Sequence, residues 1–130
     1  MNRPSLDRWL AEAKAAPAAA QCGMYLFHTG VVRATPKAKV RQGEQTDRTV
    51  RAVDFSYDEG KVAEAVARAK ALPGIFYVRV WLNAGTVPVG EELMLVLVGG
   101  DIRPRVIDAL QSLVGEIKTS CVNEQEVYDE

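Results

Sequence analysis

An α+β fold is predicted by three features of the chain. Apolar residues recur at helical spacing in three segments, β-branched and aromatic runs mark several strands between them, and the two kinds of segment do not alternate strictly as a doubly wound sheet requires. With 130 residues, 48% of them apolar, there is enough chain for one sizeable core and too little for two ordinary domains. We therefore expect a single domain over 1–130.

The first helix is expected after Ser5, a good N-cap. Leu6, Leu10 and Ala13 share a stripe with Trp9 beside them, and A-A-P-A-A-A closes the segment. Next, C-G-M-Y-L-F-H-T-G-V-V-R has the density of a strand covered on both faces and ending near Gly30. His28 alternates with Met24 and Leu26 and reads as a core histidine. From Arg33 to Arg51 a loop is expected, carrying six basic and two acidic residues. Lys37, Lys39 and Arg41 within it are candidate anion-binding residues, against the plainer reading of a solvated loop.

A short strand, V-R-A-V-D-F, leaves that loop. Ser56 or Asp58 then starts a helix whose Val62, Ala65, Val66, Ala69 and Leu72 keep the helical spacing until Pro73-Gly74 stops it. The run I-F-Y-V-R-V-W-L from Ile75 is a core strand, N-A-G-T-V-P-V-G is loop chemistry, and E-L-M-L-V-L-V from Glu92 is a second core strand. Gly85, Gly90, Gly99 and Gly100 are read as turn residues. Asp101 is the expected N-cap of the last helix, Pro104 falls in its first turn, and Val106, Ile107, Leu110, Leu113, Val114 and Ile117 form its apolar stripe. The acidic tail 123–130 shows no pattern and is expected to fray.

Charge and composition narrow the function. Sixteen basic and seventeen acidic residues give a formal charge of −1, so no whole-molecule field attracts nucleic acid, and the basic segment lacks the interleaved aromatics of a base-stacking surface. No apolar run approaches membrane-spanning length and the N-terminal stretch is charged where a signal peptide is apolar, so a cytoplasmic protein is expected. One histidine and two distant cysteines, Cys22 and Cys121, make a metal site unexpected. The two cysteines read as free buried thiols, with a disulfide or a nucleophilic cysteine as the alternatives.

Several motifs in order carry a family resemblance. They are G-x-V-R (Gly30 to Arg33), G-x-x-x-V-G-E (Gly85 to Glu91), an apolar strand leading to Arg103, and the pair Ile117-Lys118 fifteen residues after that arginine. From Gly23 onward the chain resembles the large, catalytic subunit of molybdopterin synthase. The resemblance implies a hammerhead-like α+β fold with mainly antiparallel strands and about three helices. It also implies a homodimer with a small ubiquitin-like sulfur-carrier subunit, ending in Gly-Gly, at each end. The implied reaction moves sulfur from the carrier's C-terminal thiocarboxylate to cyclic pyranopterin monophosphate, with no cofactor.

On this resemblance Lys118 matches the catalytic lysine, and Arg33 and Arg103 match substrate-site arginines. An arginine fork suits a phosphate, and a lysine among other cations can have its pKa lowered toward use as a base or nucleophile. A straight helix would hold Arg103 and Lys118 about 22 Å apart. One small site would then take Arg103 from one protomer and Lys118 from the other. The chain departs from the family at Ile102, where a histidine is usual, and at Gln125, where a second lysine is usual. Leu82-Asn83 replaces His-Arg, and His28 replaces a phenylalanine. These departures keep open an alternative: a non-catalytic dimeric relative that binds a carrier or a phosphorylated ligand.

Overall fold

The computed structural model describes residues 3–43 and 48–129. Ser5 does cap the first helix, α1 (Leu6–Lys14), its hydroxyl accepting from the Arg8 N–H at 3.2 Å. A 3-10 turn, Ala19–Gln21, leads into β1 (Met24–Val31). The basic segment expected to be a loop contains a short helix, α2 (Lys37–Gln42), ended by Gly43 in the left-handed conformation at φ 69°. Residues 44–47 of that segment lie outside the described residues.

β2 (Val50–Tyr57) follows, then α3 (Glu59–Lys70), with Asp58 as its cap: the carboxylate accepts from the Lys61 N–H at 3.1 Å. Leu72 falls beyond this helix and is exposed. β3 (Ile75–Leu82), β4 (Gly85–Pro88) and β5 (Glu92–Gly100) come next. The stretch read as loop chemistry is thus partly β4, which pairs antiparallel with β2. Its glycines keep a turn role at the ends: Gly85 and Gly90 have φ of 120° and 92°. Gly99 and Gly100 do not; they are strand residues, and a Cβ on Gly99 would come within 2.7 Å of the Tyr25 ring.

The last helix, α4 (Arg103–Glu116), begins one residue later than expected. Ile102 is the N-cap and offers no side-chain bond, while Asp101 accepts from the Ile102 N–H at 2.7 Å and pairs with Arg105 at 2.9 Å. A π turn, Ile117–Cys121, extends it. The acidic tail then corrects our expectation of fraying: it forms β6 (Val122–Tyr128), antiparallel to β2 from Tyr57↔Val122 to Val50↔Tyr128. Backbone pairing stabilises this segment although its side chains carry no apolar alternation.

Two three-stranded antiparallel sheets result, ordered β1-β5-β3 and β4-β2-β6. Central β5 is buried from Leu93 to Gly100, and strand periodicity divides its side chains. Met94, Val96 and Val98 join the main core with Val106, Ala109 and Leu113 of α4, while Leu95 and Leu97 meet Trp9 and Ala13 of α1. Each fully buried leucine contributes on the order of 2 kcal/mol. β1, expected to be covered on both faces, is instead an edge strand and largely half-buried.

Candidate functional site

Four structural segments converge on one narrow cleft of about 60 Å³. The end of β1 supplies Gly30 to Arg33, α2 supplies Lys37 and Arg41, the π turn supplies Lys118, and β6 supplies Glu124 and Glu126; Val53 and Leu93 are also in its lining. The local sequence explains how Lys118 reaches it. Ile117 and Cys121, at the two ends of the π turn, are both buried, and the Asp58 N–H donates to the Cys121 carbonyl at 2.9 Å. With those neighbours fixed in the core, the lysine between them is directed to the cleft, where its side chain is one-third exposed.

β6 contributes by alternation. Glu124 and Glu126 fall on the cleft side of the strand, while Asn123 and Gln125 line a separate groove of about 380 Å³ with Asp54, Ser56 and Thr86. The Glu124 side chain is only 7% exposed, which makes its pairing with cations decisive. Its two oxygens lie 3.4 Å from Lys37 Nζ and 3.7 Å from Lys118 Nζ. Glu126 Oε2 accepts from the Lys37 backbone N–H at 2.9 Å, and its Oε1 accepts from the Tyr128 hydroxyl at 2.8 Å. The Arg48 guanidinium lies 3.6 Å from the Tyr128 ring centre.

Burial lowers the Lys118 pKa from the ordinary lysine value, and Arg41, Lys37 and Arg33 push it in the same direction; Glu124 opposes them. Loss of hydration disfavours the ammonium, and three neighbouring cations add repulsion. His28 also feels this site. Its pKa is lowered, first by burial and then by the Lys118 charge. The residue is half-buried and not in the core, contrary to the sequence expectation.

Of the six residues singled out from sequence, Arg33, Lys37, Arg41 and Lys118 come together. Lys39 is exposed on α2 outside the cleft lining, and Arg103 is exposed at the other end of α4. No acidic residue lies in the first turn of α4 to offset Arg103, a placement that opposes the helix dipole. Sequence reasoning missed Glu124 and Glu126. The available signal was the two-residue alternation of Glu124, Glu126 and Tyr128, which has no hydrophobic contrast to reveal it.

The family departures occupy different surroundings. Ile102 is 52% exposed beside Arg103, Leu82 is buried, and Asn83 donates to the Glu92 carbonyl at 3.1 Å. Among the described residues no group of three His, Cys, Asp or Glu is placed to hold a metal, and no helix is long and apolar enough to cross a membrane. Both cysteines are free, Cys121 buried and Cys22 partly so.

The chemistry available to the cleft is that of an oxyanion acceptor with a lysine of lowered proton affinity. Its volume is well below the roughly 300–1,000 Å³ of a small-molecule site.

Comparison with known proteins gives this geometry a context. The family model described as MoaE protein matches residues 5–120. The fold is similar to that of a molybdopterin biosynthesis MoaE protein from Burkholderia ambifaria MC40-6, with TM-score 0.73, 16% identity, and coverage of 98% of this chain and 85% of that one. It is also similar to molybdopterin synthase from Staphylococcus aureus, with TM-score 0.69, 16% identity, and coverage of 85% and 77%. A complex of subunits 1 and 2 of molybdopterin-converting factor from Helicobacter pylori 26695 matches with TM-score 0.63, 17% identity, and coverage of 97% and 85%. No curated protein sequence matches the chain.

Proposed function

The chain belongs to the MoaE family, and from that premise we propose that it acts in molybdenum cofactor biosynthesis as the catalytic subunit of a molybdopterin synthase. The proposed reaction transfers sulfur from a carrier protein's C-terminal thiocarboxylate to cyclic pyranopterin monophosphate. One observation carries the reading: Lys118 is held in a narrow cationic cleft that lowers its pKa. An extended Gly-Gly end has no side chains to obstruct entry to such a cleft, and Lys118 then meets the thiocarboxylate as a proton-transfer group or nucleophile. Arg33, Lys37 and Arg41 hold negative charge beside it, with Lys39 adding to the field at the rim.

The pterin itself needs more room than the cleft has. We assign the remainder of its site to a second copy of the chain, which would bring Arg103 to the Lys118 of its partner. Exposure of Ile102 and Ile107 beside Arg103 supports a covered surface there, because Arg103 and Ile107 are one turn apart on α4. A small ubiquitin-like carrier is the proposed second partner, in keeping with the two-subunit Helicobacter complex. The setting would be the cytoplasm, and the protein would require no cofactor of its own.

Reconstitution with a thiocarboxylated carrier and the cyclic pterin is the direct test. Dithiolene product that disappears in Lys118→Ala supports the assignment; full activity in that variant overturns it. A second reading, a non-catalytic dimeric relative, is favoured by Glu124 standing beside Lys118 and by Gln125 lying on the opposite side of β6. Carrier binding with no turnover selects that reading.

A further inference from the structure

The cleft already contains an anion. Glu124 places its carboxylate between Lys37 and Lys118, at 3.4 and 3.7 Å, with its side chain almost wholly withdrawn from water. Arg33 and Arg41 line the same space, and Glu126 is the other acid in the lining. Glu126 is occupied elsewhere, accepting from the Lys37 backbone and the Tyr128 hydroxyl. Among the described residues, Glu124 is therefore the acid that bridges the two ammonium groups.

Resting on the reading of the Lys118 cleft as an oxyanion site, we infer that Glu124 is a specificity-determining and positioning residue: an internal competitor that an incoming oxyanion must displace. A free monocarboxylate replacing it recovers only the contacts that Glu124 gives up. A phosphate dianion gains further from Arg33 and Arg41, and a carrier's terminal carboxylate or thiocarboxylate gains from contacts made by the rest of the carrier. The cleft thus rejects small free carboxylates while remaining able to accept a more highly charged or tethered anion. Glu124 also holds Lys118 in place until that exchange occurs, and its attraction opposes the loss of the lysine's proton.

The test compares wild type with Glu124→Gln, using inorganic phosphate and N-acetyl-Gly-Gly as probes and the Lys118 Cε resonance as the local reporter. The substitution removes the competing charge and keeps the side-chain shape. We expect either or both probes to bind about tenfold more tightly at low salt, and the Lys118 titration to move to lower pH. A gain confined to phosphate identifies a phosphorylated small molecule as the exchanging anion, and a gain confined to the peptide identifies a chain end. Unchanged affinity for both probes, or an unmoved Lys118 titration, overturns the inference.

If Glu124→Gln fails to fold, Glu124→Asp retracts the carboxylate by one methylene. It must then bind at least one probe more tightly than wild type; equality with wild type overturns the inference. These measurements need neither carrier nor pterin. Failure of sulfur transfer therefore leaves the exchange intact, while failure of the exchange leaves the transfer assay to stand by itself.

Discussion

The Lys37 backbone N–H donates to Glu126 Oε2 at 2.9 Å, joining the first turn of α2 to β6 across 89 positions of sequence. A helix of six residues has too few internal hydrogen bonds to be stable by itself, so this tie and the Lys37–Glu124 pair hold it against the sheet.

Replacing Glu126 with Ala should release α2. We expect faster amide exchange over 37–42 and a loss of about 1–2 kcal/mol of stability, with exchange in α3 and α4 rising only by that global amount. Urea unfolding and hydrogen exchange read the two effects. Protection of α2 at the wild-type level would show that another contact holds it.

His28, the chain's single histidine, should titrate below the ordinary imidazole value. As pH falls through about 6.5 the unfolded chain takes up its proton first, so stability drops until the folded imidazole also protonates. Lys118→Met removes the repulsive part and leaves the burial. The imidazole pKa should therefore rise partway, and the acid-side loss of stability should shrink. Proton NMR of the imidazole and denaturant unfolding across pH 5 to 8 test this; an imidazole indifferent to Lys118 would refute the electrostatic coupling.

Ile117 is wholly buried immediately before Lys118. Ile117→Ala should cost about 2–5 kcal/mol and also loosen the π turn that carries the lysine. Urea unfolding measures the first effect. Any surviving sulfur transfer should decline beyond what the folded fraction accounts for, because the ammonium is no longer held in position.

The two thiols should differ in reactivity. Burial raises the Cys121 pKa, against the opposing pull of Lys61 and Arg68, whereas Cys22 is partly exposed. Iodoacetamide at neutral pH should label Cys22 first, with Cys121 protected until the chain unfolds. Equal labelling in the native protein, read by mass spectrometry, would contradict this.

The elements that were readable from sequence are those whose own side chains specify them. α1 and α3 have Ser5 and Asp58 as caps, and β3 and β5 have dense apolar runs. β4 and β6 were not readable because their order comes from pairing with β2, a long-range relation that Gly85–Pro88 and Val122–Tyr128 do not encode in hydrophobic pattern. Within the site, the basic segment and Lys118 stood out by charge and motif. Glu124 did not, since an acidic residue in a polar tail gives no sign that its carboxylate will be nearly enclosed. The motif that aligned Gln125 with a family lysine could not show that strand parity directs it to the other groove.

β2 lies between β4 and β6, so the second sheet stays one strand short until residues 122–128 have been synthesised. A chain without that segment can assemble β1, β5 and β3 but exposes an unpaired edge of β2 and lacks Glu124 and Glu126 for the cationic cleft. Closure of the second sheet is therefore a long-range step, and until it occurs the open edge of β2 leaves the polypeptide exposed to aggregation and to capture by chaperones.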